Sequence, residues 1–308
     1  MKITIKVPAT SANLGPGFDA LGLALDLWNE TVVTPAKDFA VTVKGEGAER
    51  LASGKNNLII RAAQRAERAS KALPPFHAEC VNQIPLSSGM GSSSAAILTG
   101  LLAGNALLES PYSKEEILNL AAEMEGHPDN VAPALMGGLI VSTVDDNKVI
   151  ARQIPIGMDV RVTIALPDFY LPTKQARAAL PKKVSIKNAV HNISRAVLVT
   201  EAFRTGDLNL LGEAMTDKLH QPYRLKLIPG ALSAMDAAKE AGAAAVALSG
   251  AGPSVIAFSK MESAIGESMR RAFEAAGVKA RIFHLGVSGR GAEIQIQNPS
   301  TRITQKGE

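Results

Sequence analysis

The 308-residue sequence predicts a two-domain protein that combines an α/β domain with an α+β domain. Length alone suggests about two domains, although one large domain is possible. Strand and helix signals alternate over residues 1–158, which predicts the α/β domain. The pattern restarts at residue 159 and ends in a strand–turn–strand–helix–strand series. Residues 159–308 are therefore predicted to form an α+β domain with helices on one face of an antiparallel sheet.

The strands and helices of the first domain are predicted from the spacing of apolar residues and from the Gly, Pro, Asn and capping residues between them. Residues 2–7 alternate as a strand does, and the Pro, Gly and Asn residues of 8–18 predict a loop. Small and apolar residues at helical spacing predict a helix over 58–69 with Asn57 as its N-cap, and another over 92–108. Ser113 and Glu116 form a capping box for a helix that runs to Glu125. Further strands are predicted at 31–34, 39–44, 76–84 and 137–144, with a turn at 126–130.

The second domain is predicted in the same way. Residues 160–167 read as a strand, and several helices are expected between 173 and 242. The closing series predicts strands at 243–248, 254–259 and 279–285, a turn at 249–253, and a helix over 265–276 that Gly277 ends.

Composition limits the class of protein. Hydrophobic residues make up 46% and charged residues 20%, which is typical of a folded globular chain. The net charge of +4 is spread along the sequence, and with three Tyr and one Trp the chain offers few stacking platforms, so no nucleic-acid partner is expected. A single cysteine, Cys80, excludes an intramolecular disulfide. The start lacks a signal-peptide core and no apolar run could span a membrane, so a cytoplasmic protein without a membrane partner is expected.

The segment PLSSGMGSSSA, residues 85–95, lies between a predicted strand and a predicted helix. A glycine-rich turn that opens a helix offers backbone N–H groups and the positive end of the helix dipole to an anion. No lysine follows the glycines as a Walker A loop requires, and Ser94 occupies the third glycine position of the dinucleotide fingerprint. Local chemistry therefore leaves two interpretations, a phosphate-binding loop or a flexible turn that only caps a helix.

Two more glycine-bearing loops, residues 8–19 and 249–254, carry small residues and hydroxyls. Together the three loops resemble the three motifs of the GHMP kinases, named for galacto-, homoserine, mevalonate and phosphomevalonate kinases. The segments PATSANLGPGFDALG and EGHPDNVAPALMGG are similar to the homoserine kinase branch. The resemblance implies an N-terminal ribosomal-protein-like α/β domain and a C-terminal ferredoxin-like α+β domain.

The same resemblance implies ATP and Mg²⁺ as cofactors. The ATP-binding residues would be Pro85, Leu86, Ser87, Ser88, Gly89, Met90, Gly91, Ser92, Ser93, Ser94 and Ala95, with Asn57 or its neighbour Asn56 near the adenine. The metal ligands would be Ser93 or Ser94 together with Glu125, with Glu123 as the alternative carboxylate.

The implied reaction is phosphorylation of the side-chain hydroxyl of L-homoserine in threonine biosynthesis, with another small alcohol such as mevalonate or shikimate as the alternative. The implied substrate-binding residues are Asn13, Asp19, His127, Asp129, Arg177 and Arg224. Where many GHMP kinases carry a catalytic Asp, this sequence has Asn130, so we expect Asn130 to orient the hydroxyl and Asp129 to be the competing candidate base. A homodimer is possible.

Overall fold

The computed structural model describes residues 1–51, 53–67, 72–157, 159–261 and 264–298. The strands are β1 (Lys2–Ala12), β2 (Leu21–Pro35), β3 (Ala40–Gly45), β4 (Phe76–Asn82), β5 (Leu139–Asp145), β6 (Lys148–Ile154), β7 (Arg161–Pro167), β8 (Ala245–Leu248), β9 (Val255–Ser259), β10 (Ala280–Leu285) and β11 (Glu293–Gln297). The α-helices are α1 (Leu58–Gln64), α2 (Ser92–Leu107), α3 (Lys114–Glu125), α4 (Pro128–Met136), α5 (Thr173–Ala178), α6 (Ile186–Thr205), α7 (Leu208–Ala214), α8 (Gln221–Arg224), α9 (Ala231–Glu240) and α10 (Ile265–Ala275).

The strands form two sheets. The larger sheet runs β11-β1-β2-β4-β3, and β5 extends it from β2 with β6 beside β5. Among the strand pairs of the described residues in this sheet, only β3–β4 is parallel. The smaller sheet is antiparallel and runs β10-β7-β9-β8. The predicted α+β fold, in which an N-terminal α/β domain is followed by an α+β domain with an antiparallel sheet, is confirmed.

The last strand crosses the predicted domain division. β11 pairs antiparallel with β1, from Lys2 opposite Gln297 to Lys6 opposite Glu293. The larger sheet therefore includes one strand from the second predicted domain. The division at 158/159 stays a prediction; the other strands of the larger sheet precede it, and all strands of the smaller sheet follow it.

The small sheet is covered on both faces, so the expected coverage of one face only is wrong. Its residues Val246 and Val255 pack in one core with Met269 and Phe273 of α10. On the opposite face, Phe258 of β9 meets Phe203 of α6 in an edge-to-face contact with 5.5 Å between ring centroids. Alternation along each strand sends neighbouring side chains to these two cores.

Three local predictions in the first domain were wrong. β1 continues through Ala12 with a register shift between Pro8 and Ala9, so the first loop begins only at residue 13. Residues 126–130, predicted as a turn, include the start of α4, which has Pro at its N-terminus where proline's missing N–H costs nothing. The predicted helix over 58–69 ends at Gln64, and its residues 68–69 lie outside the described residues.

The capping box at the start of α3 is confirmed. The Ser113 hydroxyl accepts from the Glu116 N–H, and the Glu116 carboxylate accepts from the Ser113 N–H. Searching the described part of the chain for a helix long and apolar enough to cross a bilayer finds none.

Candidate active site

The three glycine-bearing loops meet at one place between the two sheets. Thr10 of β1, just before the first loop, donates its backbone N–H to the carbonyl of Met90 in the second loop, at 3.1 Å. The Ser249 hydroxyl of the third loop donates to the carbonyl of Gly89 at 2.7 Å. Segments far apart in sequence are thereby held within hydrogen-bonding distance of each other.

A cavity of about 160 Å³ lies where the loops meet. It is lined by Ala12, Asn13, Asp19, Ser87, Ser88, Gly89, Gly91, Ser92, Ser93, Glu125, His127, Asp129, Asn130, Thr173, Arg177, Arg224, Gly250 and Ala251. The structure thus brings together all of the predicted substrate residues and much of the predicted phosphate loop.

A second cavity of about 370 Å³ adjoins the first. Ser87, Ser92 and Ser93 line both cavities, so the glycine-rich turn lies at the boundary between them. Asn57 lies in the second cavity, where its side chain caps α1 by accepting from the Ile59 N–H at 2.9 Å. Its predicted cap role is confirmed, and its predicted role near adenine stays a prediction.

The phosphate loop presents a helix N-terminus that no side chain caps. Gly91 is the N-cap of α2 in the left-handed conformation, with φ of 74° and no side-chain cap bond. The glycine is also required by packing, because a Cβ at residue 91 would lie 2.1 Å from Thr10 Oγ1. Met90, Ser94 and Ala95 are buried and line neither cavity, so they support the loop rather than face a ligand.

Ser93 and Glu125 form the best candidate for a metal site. The Ser93 hydroxyl donates to Glu125 Oε2 at 2.7 Å, and both side chains line the smaller cavity. Ser94 is fully buried, with a hydroxyl that has no partner in the described structure, which makes it the weaker candidate. Glu123 is paired with Arg65 on the surface at 2.7 Å. Oxygen ligands of this kind suit Mg²⁺.

Asp19 and Arg177 already bind each other across the cavity. The Arg177 guanidinium donates to both carboxylate oxygens of Asp19, at 3.0 and 2.7 Å. This hydrogen bond and the negative charge of Asp19 raise the pKa of Arg177 against the effect of burial. Both ends of the Asn13 amide are bonded, since Nδ2 donates to Gly250 O of the third loop and Oδ1 accepts from the Asp19 N–H of its own loop.

Arg224 is a buried cation with neutral partners. Its side chain is 1% exposed, and Nη1 donates to His220 Nδ1 at 3.2 Å and to Gly250 O at 3.3 Å. Burial and then the nearby charge of Arg177 lower the pKa of Arg224 to about 10. Phe18 lies against it, with the guanidinium 5.2 Å from the ring centroid. A buried guanidinium without a hydrogen-bonded carboxylate is suited to an anionic ligand.

His127 and Asp129 form a close pair beside the phosphate loop, with 2.5 Å between Nδ1 and Oδ1. Burial on its own would lower the pKa of His127, but the hydrogen bond and charge of Asp129 outweigh it, and the pKa is raised. The Asp129 carboxylate is only 2% exposed. Its hydrogen-bond partner is the His127 imidazole, whose raised pKa favours the protonated imidazolium.

Asn130 is held by a residue that the sequence analysis did not single out. The buried Thr10 hydroxyl donates to Asn130 Oδ1 at 2.8 Å. Because that oxygen is occupied, the Nδ2 hydrogens are what Asn130 offers to a ligand in the cavity. His220, behind Arg224, was missed in the same way. Thr10 lies within the segment PATSANLGPGFDALG and His220 lies four residues before Arg224, but their partners are 120 and 205 residues away, so no local pattern revealed them.

Comparison with known proteins defines the class. The family profile described as GHMP kinases N terminal domain matches residues 57–138, and the one described as GHMP kinases C terminal matches residues 199–289. The chain belongs to the GHMP kinases.

Within that family the chain groups with the homoserine kinases. Homoserine kinase of Moorella thermoacetica is 45% identical over 293 residues, which cover 94% of this chain and 99% of the relative. Homoserine kinase of Carboxydothermus hydrogenoformans is 44% identical over 292 residues, covering 94% of this chain and 96% of the relative.

Solved structures agree with this grouping. The crystal structure of homoserine kinase from Cytophaga hutchinsonii superimposes with a TM-score of 0.85 at 30% identity, covering 96% of this chain and 97% of the other. A mevalonate kinase from L. major superimposes with a TM-score of 0.67 at 17% identity over 92% of this chain and 94% of the other. The second likeness shows the shared fold alone.

Proposed function

We propose that this protein transfers the γ-phosphoryl group of ATP to the side-chain hydroxyl of L-homoserine, which yields O-phospho-L-homoserine and ADP. The observation that carries the proposal is the buried Arg224 guanidinium, which faces the cavity beside the phosphate loop with neutral hydrogen-bond partners. The guanidinium offers a site for the substrate carboxylate, and Asp19 in the same cavity offers a site for an ammonium group. The ammonium site is what distinguishes an amino-acid acceptor from hydroxy acids such as mevalonate and shikimate. The names of the relatives agree with this substrate.

The two cavities suggest how both substrates are arranged. The larger cavity with Asn57 would hold the nucleoside, and the phosphates would follow the turn shared by both cavities to the N-terminus of α2. Ser93 and Glu125 would bind Mg²⁺, which neutralises charge on the phosphate oxygens when present. The acceptor would occupy the smaller cavity.

The zwitterionic end of homoserine matches the charges of the smaller cavity. Its ammonium group would bind Asp19, and its carboxylate would bind Arg224 and the Arg177 guanidinium that Asp19 now shares. This arrangement requires the substrate to rearrange the Asp19–Arg177 pair, whereas Arg224 has no ion pair with any residue that the structure describes.

The hydroxyl would be oriented without a carboxylate base. Asn130 Nδ2 can donate to the acceptor oxygen, since Oδ1 is held by Thr10. Phosphoryl transfer often passes through a loose transition state, in which positioning and charge neutralisation supply most of the acceleration. The γ-phosphate or water would then accept the proton.

An assay with ATP, Mg²⁺ and a panel of alcohols tests the proposed function. We expect ADP release that depends on L-homoserine and on Mg²⁺, with phosphate appearing on the homoserine side chain. Mevalonate and shikimate should support little turnover, because they lack the ammonium group that Asp19 would bind. Comparable turnover of either alcohol under the same conditions would exclude the assignment.

The pH dependence tests the proton acceptor. If no carboxylate acts as the base, Asp129→Asn should not remove a fall in kcat at low pH. The pH profiles of kcat for the parent and for Asp129→Asn should therefore have the same shape on the acid side. The Asp129→Asn protein should also be less stable than the parent at low pH. The raised pKa of His127 means that its bond to Asp129 contributes stability below about pH 6.5, and that this contribution is lost as the pH rises through the folded-state pKa.

The stability difference between parent and Asp129→Asn should therefore be larger at pH 6 than at pH 9 by thermal unfolding. An acid limb in the parent that vanishes in Asp129→Asn, with homoserine binding retained, would identify Asp129 as the base.

Two expectations from the sequence stay predictions. A homodimer is testable by sedimentation, and α6 offers a surface for it, with Ile186, Val190, Ile193 and Val197 exposed at helical spacing. A cytoplasmic location agrees with a single cysteine, Cys80, which is buried and unpaired in any disulfide.

A further inference from the structure

His220 is buried between the first loop and Arg224, with hydrogen bonds at both ring nitrogens. Nε2 lies 2.7 Å from the Gly15 carbonyl oxygen, and Nδ1 lies 3.2 Å from Arg224 Nη1. A carbonyl can only accept and a guanidinium can only donate. Nε2 therefore carries the hydrogen and Nδ1 offers its lone pair, so the ring is the neutral Nε2–H tautomer.

The surroundings favour this neutral form. Asp217 Oδ2 is 3.7 Å from Nε2, too far for a hydrogen bond, and the Nε2 hydrogen is already directed to Gly15. Burial lowers the pKa of His220, which the charge of Asp217 opposes and that of Arg224 reinforces. The Phe18 ring stacks on the imidazole, with 5.2 Å between centroids and 25° between planes.

The segment before Arg224 is built to hold His220 in place. The Asp217 carboxylate accepts the backbone N–H groups of Leu219, His220 and Gln221 at 2.9, 2.8 and 2.6 Å. The imidazole thus has a fixed backbone, a fixed tautomer and one acceptor aimed at the guanidinium.

We propose that His220 is a positioning residue that aims the Arg224 guanidinium at the substrate carboxylate through the hydrogen bond accepted at Nδ1. The other two acceptors of Arg224 are carbonyl oxygens at 3.3 and 3.5 Å, so His220 provides the shortest contact. This role rests on the proposed function, since the carboxylate that Arg224 would bind is that of the proposed acceptor.

Two amide variants separate aiming Arg224 from merely holding the loop. The Asn oxygen in His220→Asn can replace the Nδ1 acceptor, while the tether to Gly15 is lost. The Gln amide in His220→Gln can replace the Nε2 donor, while the acceptor for Arg224 is lost.

If His220 aims Arg224, His220→Gln raises the homoserine KM about fivefold, the effect of one ordinary hydrogen bond. We expect the ATP KM to stay within about twofold in both variants, and the homoserine KM of His220→Asn to stay within about twofold of the parent. The reverse order, or equal effects in the two variants, would overturn the positioning role and leave His220 as a loop tether.

Nitrogen NMR of the histidine rings gives a readout that needs no substrate. The His220 signal, assigned by its loss in His220→Asn among five histidines, should show a protonated Nε2 and an unprotonated Nδ1 at neutral pH. A protonated Nδ1 would overturn the inferred bond. A parent enzyme that is inactive with homoserine would instead refute the proposed function, and the NMR result would still decide the His220–Arg224 bond.

Discussion

Glu125→Gln should lower kcat by about two to three orders of magnitude, the range found when one electrostatic contact to a transferring group is removed. Glu125 meets Ser93 at 2.7 Å beside the phosphate loop, and both side chains line the acceptor cavity. The substitution keeps the size and the hydrogen bond but removes the charge that would hold Mg²⁺. We therefore expect a higher Mg²⁺ requirement and an unchanged fold, measured by steady-state kinetics over a magnesium titration and by thermal unfolding.

Glu123→Gln is the matched control on the same helix. Glu123 is 64% exposed and forms a surface ion pair with Arg65, an interaction usually worth less than about 1 kcal/mol. Its kcat should stay within about twofold of the parent value, since no part of Glu123 lines the cavity. Equal kinetics in the two variants would remove Glu125 from the metal site.

Much of the site was predictable because its chemistry is concentrated in short segments. The glycine-rich turn before α2 and the capping box of α3 are local features, in which sequence spacing fixes both the backbone and the partner. The arginines were different. Arg177 and Arg224 look like ordinary surface residues in the sequence, and only the resemblance to a family placed them in the pocket.

The missing parts depend on contacts between distant segments. Thr10 bonds Asn130 across 120 residues, and His220 bonds Gly15 across 205 residues. The prediction for Gly91 was incomplete for the same reason. A Cβ at residue 91 would clash with Thr10, which is distant in the sequence. No periodicity records such contacts. Strand β11 shows the same limit at the level of the fold, because its partner is β1, with Lys2 opposite Gln297.

Arg224→Met should impair homoserine binding while leaving the protein as stable as the parent, or more stable. Charge-assisted hydrogen bonds contribute about 1.5 to 3 kcal/mol each, so losing a two-point grip on the carboxylate should raise the homoserine KM about a hundredfold. A desolvated guanidinium with neutral partners costs free energy in the folded state, as its pKa of about 10 shows. Replacing it by an apolar side chain of similar length should leave the free energy of unfolding unchanged or raise it by about 1 kcal/mol.

Arg177→Met provides the comparison, because the two arginines differ in their partners. Arg177 is a third exposed and bonded to Asp19 at two points, so its loss should raise the homoserine KM by only about tenfold. It should not stabilise the fold, since an ion pair is broken. Chemical denaturation measures the stability change and initial rates measure the KM. Destabilisation of Arg224→Met by more than about 2 kcal/mol with an unaltered KM would mean that the buried guanidinium serves the fold instead of the substrate.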